Sequence, residues 1–317
     1  MTVEACLPPD LQGPATTITP IAAGLSGAGV YRVERGDRAF VLKVAGPAED
    51  KGDWRGALEI HRLAGDAGLA PAIVHVDEAR RAVLTVFVAD RSFAALYLDP
   101  GTRETALTLL GRTVRRIHAL AVPAAARARD PRAFLTQLSA GLQTNFALPD
   151  FARDAVHRAL AEEPPPRRGA LVLAHNDLNP TNFIYDGEGL LVLDWAAAGL
   201  MDPFYDLAVL ALFLRMNEAT CLTLLSAYDG APATALPDRF TYSRRVAAAL
   251  AGTMQLFLAR QMKHPGATGA ETLASTPSLG EFYQRMRTGE LKVGTPDGQW
   301  AFGLALLKES LVEPPRT

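Results

Sequence analysis

Short alternations of apolar and polar residues fill the first part of the chain, from about residue 17 to residue 90. ITPIAAG, VYRVERG and RAFVLKVAG are separated by glycine-containing turns, which predicts an antiparallel meander. DWRGALEIHRLAGDAG then has the apolar spacing of a helix. PAIVHVDEARRAVLTVFV predicts a further hairpin that turns at Asp77 to Arg80. The pattern therefore predicts a small α+β lobe of five strands with one inserted helix.

The apolar spacing becomes helical after Asp90. TRETALTLLGRTVRRIHAL places leucines and a valine three and four residues apart, and helical patterns dominate again from about residue 204 to the end. We therefore place the domain boundary between residues 89 and 90. Residues 1–89 form the β-rich N-terminal lobe, and residues 90–317 form a mainly helical C-terminal lobe that carries one hairpin.

Composition narrows the classes of function and the compartment. The 317 residues carry a formal charge of -2 at pH 7, and binding to nucleic acid needs a clustered basic surface. The two cysteines are far apart in the sequence, which fits a reducing cytoplasm. The longest apolar run, LAVLALFL at 207–214, is far shorter than the roughly 20 residues that span a bilayer, and the N-terminus lacks a signal-peptide pattern. We expect a cytoplasmic protein without nucleic-acid or membrane partners.

The stretch AHNDLNPTNFIYDGEGLLVLDW, residues 174–195, carries most of the candidate chemistry. Its Gly-Glu-Gly segment predicts a three-residue hairpin loop centred on Glu188, which would place Asn182 opposite Asp194. Directly opposed residues have Cβ atoms about 4.5–5.5 Å apart, so the two side chains could share one Mg²⁺ ion. Both could instead simply end strands, but the nearby Asp177 favours the metal site.

Asp177 lies five residues before Asn182, and the segment reads H-x-D-x-x-x-x-N. That is the spacing of a kinase catalytic loop, where the Asp accepts the proton of the substrate hydroxyl. Asp177 is therefore the candidate catalytic base, with most of the catalysis coming from positioning and charge neutralisation. His175 is interpreted as a structural hydrogen-bonding residue.

A glycine-rich turn and a lysine within a strand form the second candidate site. GLSGAGVYRV, residues 24–33, fits neither the dinucleotide-binding pattern nor the nucleophile elbow. The remaining functional interpretation is a glycine-rich β-turn whose backbone amides cover phosphates, with Ser26 and Gly27 as candidate contacts. Lys43 lies mid-strand, where an inward ammonium would need a phosphate or carboxylate, although a solvent-facing lysine is the alternative. Glu59 is the first acid on the following helix able to pair with it.

These features occur in an order that resembles a known family. Glycine-rich turn, strand lysine, H-N-D-x-x-x-x-N, L-D-W and D-P-x-x-D-L-A are similar to the aminoglycoside phosphotransferase/choline kinase superfamily of small-molecule kinases. The resemblance is most specific over 171–208 and looser over about 17–215. It implies a bilobal protein-kinase-like α+β fold, with a small antiparallel sheet and one helix in the N-terminal, nucleotide-binding lobe and a larger helical C-terminal lobe. It also implies ATP and Mg²⁺ as cofactors.

The resemblance assigns roles within the two candidate sites. It implies that Asp177 is the catalytic Asp, that Lys43 binds the phosphates of the nucleotide, and that Asn182 and Asp194 bind Mg²⁺. Asp206, in DPFYDLA, would brace the catalytic loop.

LTVFVADRS, residues 84–92, is similar to the hinge of the family. By that resemblance, the backbone of Val86 and Val88 is expected to contact adenine.

The acceptor is the least constrained part of the prediction. The H-N-D triplet is similar to that of the choline/ethanolamine kinases, but alanines follow Trp195 where that branch has an acidic residue and a tyrosine. Aromatic replacements around an ammonium could come from Phe282, Tyr283, Trp300 or Phe302, although the core is the more usual place for each of them, since aromatic residues on helices usually pack.

We predict an ATP- and Mg²⁺-dependent phosphotransferase acting on a hydroxyl of a small molecule, with a choline- or ethanolamine-like acceptor favoured. An aminoglycoside, thiamine, sugar or homoserine kinase of the same fold stays open, as does a non-catalytic nucleotide-binding scaffold. A protein kinase is disfavoured, because the segment after Asp194 is too short for a long activation segment.

Overall fold

The computed structural model has an α+β fold, as predicted. It describes residues 2–21, 27–47, 50–143, 146–167 and 169–312. The chain divides into two compact units, each built from two segments. The first unit comprises Met1–Arg127 and Val172–Leu200, and the second comprises Ala128–Leu171 and Met201–Thr317.

An antiparallel sheet forms the first part of unit 1 and follows the predicted order of elements. Its strands pair in the order β1-β2-β3-β5-β4, and α1 lies between β3 and β4 in the sequence. Asp50 begins this helix, accepting hydrogen bonds from Gly52 N at 2.7 Å and Asp53 N at 3.2 Å, which satisfies two free amides of the first turn. The bounds are β1 Thr16–Pro20, β2 Gly29–Arg35, β3 Arg38–Val44, α1 Lys51–Asp66, β4 Ile73–Asp77 and β5 Ala82–Val86.

The two faces of this sheet differ because side chains alternate along each strand. One face of the sheet packs against the N-terminal residues Cys6, Leu7 and Leu11. The buried sheet residues on this face are Val33, Phe40, Leu42, Ala82 and Leu84. The register pairs Val30 with Lys43 and Val41 with Thr85, which places these four residues on the other face. Lys43 therefore points away from the N-terminal core.

The rest of unit 1 follows β5 and includes a second segment of the chain. Here β6 pairs with β9 and β7 pairs with β8, while α3 contacts both β6 and β8 and α2 contacts β7. These contacts explain why the division differs from the predicted boundary at residues 89 and 90. The bounds are α2 Phe93–Leu98, α3 Arg103–His118, β6 Val172–Ala174, β7 Phe183–Tyr185, β8 Leu190–Val192 and β9 Gly199–Met201.

Unit 2 is helical where the structure describes it. Its core gathers Leu135 and Leu142, Ala155, Leu256 and Trp300 from four helices and buries all of them. The apolar run 207–214 falls within and just after α6 and is largely buried. The bounds are α4 Pro131–Gln143, α5 Asp150–Ala161, α6 Pro203–Phe213, α7 Glu218–Asp229, α8 Asp238–Gln261, α9 Leu279–Arg287 and α10 Pro296–Leu311.

Helices α8 and α10 come close enough for their backbones to touch. A Cβ atom added to Gly252 would lie 2.8 Å from Gly303 O, so glycine is required at this crossing. Among the described residues, no helix has the length and apolar character to span a membrane.

Candidate active site

The predicted catalytic loop lies between β6 and β7, and its polar side chains converge on Asp177. Asn182 Nδ2 donates to Asp177 O at 2.8 Å and to Asp177 Oδ2 at 3.1 Å. Asn179 Nδ2 donates to Asp177 Oδ1 at 3.1 Å. Both carboxylate oxygens therefore have fixed directions, and the sequence spacing of Asp177 and Asn182 corresponds to direct contact in space.

His175 connects this loop to the hairpin that follows it. Its ring Nε2 lies 2.9 Å from Leu193 O, and its Nδ1 lies 3.3 Å from Asp177 N. Because a carbonyl only accepts and an amide only donates, the proton belongs on Nε2. The fully buried ring also meets Trp195 edge-on, with centroids 4.8 Å apart. His175 thus positions Asp177, as expected of a structural residue.

The hairpin register differs from the predicted one by a single residue. Phe183 pairs with Val192 and Tyr185 with Leu190, so the loop contains four residues, Asp186 to Gly189. Asp186 Oδ1 accepts from the amides of Glu188 and Gly189, both at 2.8 Å, and this Asx turn closes the loop one residue earlier than a turn centred on Glu188.

This shift places Asn182 opposite Leu193, not opposite Asp194. Leu193 N donates to Asn182 O at 2.8 Å, which ties Asn182 to the residue before Asp194. Asp194 itself has φ +58° and ψ +71°, a left-handed conformation that is uncommon outside glycine and is concentrated at functional sites. The predicted direct opposition is wrong, but the backbone still links the two candidate metal ligands.

Lys43 forms an ion pair with Asp194. Lys43 Nζ lies 2.7 Å from Asp194 Oδ1, and the two side chains are 36% and 37% exposed. Burial opposes the ionised form of Asp194, but the charge and the hydrogen bond of Lys43 outweigh it and hold the pKa of this carboxyl below its ordinary value. The strand lysine and the candidate metal ligand are therefore in direct contact.

The predicted pairing of Lys43 with Glu59 is wrong, because the described structure pairs Lys43 with Asp194 instead. Glu59 is exposed, whereas α1 buries Trp54, Leu58, Ile60 and Ala64. The sequence offered Glu59 as the first suitable acid on the helix, but the helical phase turns it to solvent.

Burial raises the pKa of Asp177, and the negative charge of Asp194 acts in the same direction. The hydrogen bonds from Asn179 and Asn182 lower it in part. A carboxylate whose pKa lies above its ordinary value is a stronger proton acceptor. This is the property that a base acting on a hydroxyl requires.

The predicted nucleotide contacts are only partly described. Ser26 lies outside the described residues, while Gly27 precedes β2 with φ +70°, a conformation suited to glycine. Val86 N donates to Ala72 O at 3.0 Å, so this amide is engaged within the sheet. Val88 lies two residues beyond β5 and is half-buried. Contact of the Val86 carbonyl and the Val88 backbone with adenine stays a prediction.

Two further positioning residues in unit 1 stand in no motif of the sequence. Asp90 Oδ1 accepts from Tyr185 N at 3.0 Å and from Ser92 N at 2.9 Å, which fastens the segment after β5 to β7. His61 Nε2 lies 3.1 Å from Pro71 O. Its pKa is lowered mainly by burial, and the charges of Lys43, Asp194 and His175 also act on it. An exposed Asp and a His within a helix are common in any protein, so the positioning roles of these two residues become visible only in the folded structure.

The donor set fits Mg²⁺. Because Asn182 directs its Nδ2 to Asp177, its carbonyl oxygen points the other way and is positioned to bind a cation. With one Asp194 carboxylate, this gives the few protein oxygens that Mg²⁺ takes when phosphates and water complete its shell. Asn182 and Asp194 are the residues that would hold it.

The four aromatic residues considered for an ammonium group pack against other rings in unit 2. Trp300 stacks on His264, with centroids 4.5 Å apart, and meets Phe146 edge-on. Phe282 is fully buried and stacks on Phe302 at 4.6 Å, while Tyr283 lies beside Phe302. Trp300 and Phe282 are core residues, so only Phe302 and Tyr283, which are half-buried, keep ring surface for a ligand.

Comparisons with known proteins bear on the family and the fold of the chain. The model of the phosphotransferase enzyme family matches residues 17–238, whereas a comparison with curated proteins finds no match.

Among solved structures, similarity extends to a choline/ethanolamine kinase family protein from Mesorhizobium loti, with 22% identity, TM-score 0.61, and coverage of 95% of this chain and 94% of that one. Choline kinase LicA from Streptococcus pneumoniae gives 18% identity, TM-score 0.60, and coverage of 86% and 92%, and the same protein is also known in complex with AMP. A type VIII aminoglycoside-3'-phosphotransferase gives 22% identity, TM-score 0.54, and coverage of 75% and 94%.

Proposed function

Because the chain belongs to the phosphotransferase enzyme family, we propose that it is an ATP- and Mg²⁺-dependent kinase that phosphorylates a hydroxyl group of a small molecule. One observation carries the proposal. Lys43 and Asp194, 151 positions apart in the sequence, lie in contact, and the charge of Asp194 acts on Asp177, which is bonded to Asn182. A lysine, a carboxylate base and two oxygen donors in one place are what phosphoryl transfer requires.

Asp177 is the proposed base. The bonds from Asn179 and Asn182 fix its two carboxylate oxygens, so an acceptor hydroxyl would donate to a carboxylate of defined direction. The hydroxyl proton passes to Asp177 as the oxygen attacks the terminal phosphorus of ATP, and ADP leaves. Fixing the base before the acceptor binds removes part of the entropic cost of the reaction.

The nucleotide is proposed to lie against the sheet face that carries Lys43. Its ammonium would move to the phosphates, where a point charge with three donors is suitable. The glycine turn containing Ser26 and Gly27 would supply backbone amides, and Val86 and Val88 would contact adenine. The AMP complex of the neighbouring choline kinase LicA supports nucleotide binding on this fold. Bound Mg²⁺ would neutralise charge that develops on the phosphates.

The proposed acceptor is an amino alcohol of the choline or ethanolamine kind. The His175-Asn176-Asp177 triplet supports this choice. Of the solved structures described above, the two with the highest coverage of this chain carry choline or ethanolamine in their names. The aromatic surface of Phe302 and Tyr283 in unit 2 is compatible with an ammonium ligand.

A coupled assay of ADP release tests the function. Purified protein is incubated with ATP and Mg²⁺ and with choline, ethanolamine, thiamine, sugars, homoserine or an aminoglycoside, and the Asp177→Ala variant is the matched blank for each. We expect acceptor-dependent release with choline or ethanolamine and none with the variant. Release with another acceptor would reassign the substrate. ATP binding without turnover on any acceptor would identify a non-catalytic scaffold instead.

A further inference from the structure

Helix α1 offers Lys43 no carboxylate among the described residues. Glu59 and Asp66 are exposed, and Asp53 pairs with Arg127 at 3.2 Å. His61 feels the charge of Lys43, yet burial lowers the pKa of its ring, so at neutral pH it brings no negative charge and little positive charge. Asp194 is the ion-pair partner that the described structure gives Lys43.

The same carboxylate is the candidate ligand for Mg²⁺. Lys43 Nζ donates a hydrogen bond to Asp194 Oδ1 at 2.7 Å, so this oxygen is already engaged. A divalent ion on the remaining oxygen would lie close to the ammonium, and the two like charges would repel each other. An ion pair that is partly exposed to solvent is itself weak, so a competing partner for the ammonium can separate it.

We propose that Lys43 blocks the metal-binding carboxylate of Asp194 in the nucleotide-free protein, and that the phosphates of the nucleotide release Asp194 by taking over the ammonium. The inference rests on the proposed function for the metal role of Asp194. It assigns Lys43 a second task besides holding phosphates, namely to keep the metal site weak until a nucleotide is bound.

Reciprocity of binding free energies follows from this arrangement. If the nucleotide strengthens metal binding by removing Lys43 from Asp194, the metal strengthens nucleotide binding by the same factor. The nucleotide and the metal would therefore enter together, and the free protein would not retain a divalent ion.

Metal binding to the nucleotide-free protein tests the proposal without any turnover. Mn²⁺ is the probe, and the electron paramagnetic resonance signal of the free ion measures how much is bound. We expect Lys43→Met to bind Mn²⁺ about tenfold more tightly than the wild type, because the carboxylate is no longer occupied. Lys43→Arg keeps the cation and should stay as weak as the wild type. If Lys43→Met does not fold, Lys43→Gln replaces it, with circular dichroism verifying each variant.

Arg80→Met is the matched control, because it changes the net charge equally. Arg80 pairs with Asp77 at 2.7 Å in the β4–β5 turn, and its removal should leave Mn²⁺ binding unchanged. Adding Asp194→Asn to the Lys43→Met variant should abolish the gain.

Three results would overturn the proposal: unchanged or unmeasurable Mn²⁺ binding in Lys43→Met, an equal gain in Arg80→Met, or a gain that survives Asp194→Asn. None of them concerns phosphoryl transfer, so the proposed function can fail or hold independently.

Discussion

Asn182 holds Asp177 twice, with its Nδ2 2.8 Å from the main-chain oxygen of Asp177 and 3.1 Å from Oδ2. One NH₂ group thereby fixes both the loop and the base. Its orientation also leaves the carbonyl oxygen of the same side chain directed away from Asp177. Under the proposed function, Asn182 would orient Asp177 and bind Mg²⁺ with the same side chain, and we therefore expect large effects when it is replaced.

Asn182→Leu should reduce kcat/KM for the acceptor by at least about 100-fold, since it removes a metal oxygen and two bonds to the base. The coupled ADP assay at saturating Mg²⁺ measures this. Thr181→Val, one residue earlier, is the control and should retain most activity. A loss smaller than about tenfold in Asn182→Leu would argue against its dual role.

Asn179→Ala should move the acidic limb of the pH–rate profile to higher pH. Asp177 must be ionised to accept a proton, so activity falls as the pH drops through its pKa. The bond from Asn179 Nδ2 to Asp177 Oδ1 lowers that pKa, and its loss raises the pKa further. The kcat/KM profile in buffers of equal ionic strength measures the shift. Asn179 Oδ1 also accepts from Thr181 N at 3.0 Å and from the Thr181 hydroxyl. Thr181→Val removes the hydroxyl bond and leaves the contact of Asn179 with Asp177, so it tests whether loss of a turn bond moves the limb; it should not.

Gly187→Ala should destabilise the protein by about 1–2 kcal/mol, because alanine is strained at positive φ. Gly187 has φ +106°, and an added Cβ would lie 2.7 Å from Arg91 Nη1. Gly189→Ala in the same loop is the control, since nothing lies within 4 Å of its Cβ position. Urea unfolding measures both. Adding Arg91→Ala should recover only the steric part of the loss, and equal stability of the two glycine variants would contradict the loop geometry.

Gly252→Ala should be destabilising by about 1–3 kcal/mol, the usual cost of overpacking. Its Cβ would lie 2.8 Å from Gly303 O and 3.0 Å from Leu307 N, and neither backbone atom can move aside cheaply. Gly141→Ala in α4 is the control, with its nearest neighbour, Phe257, at 3.7 Å, and should be neutral or stabilising by about 0.5–1 kcal/mol. Thermal unfolding in which both variants shifted alike would rule out the close helix crossing.

Much of the fold follows from local patterns. The alternation of side chains predicted the strands and helix of the sheet unit, and the spacing of Asp177 and Asn182 predicted that one loop carries both residues. Their hydrogen bonds to each other were not predicted. These features depend on residues close in the sequence, where periodicity and turn chemistry decide the structure.

The sequence-based predictions fail where a shift of one residue, or a contact between distant segments, determines which side chains meet. Asp186 closes the hairpin loop through its side chain, and this shifts the register by one and gives Asn182 a different partner. Glu59 has a suitable sequence position for pairing with Lys43 but the wrong helical phase. The contact of Lys43 with Asp194 joins segments far apart in the chain, and nothing local in either segment encodes it.

The proposed function depends on Asp177 as the acceptor of the hydroxyl proton during phosphoryl transfer from ATP. Its most direct test is a comparison of single-turnover phosphoryl transfer to choline or ethanolamine by wild-type protein and by Asp177→Asn, with nucleotide binding measured on both. This role of Asp177 requires a rate at least about 100-fold lower in the variant while ATP still binds. Equal transfer rates with equal nucleotide binding would contradict it.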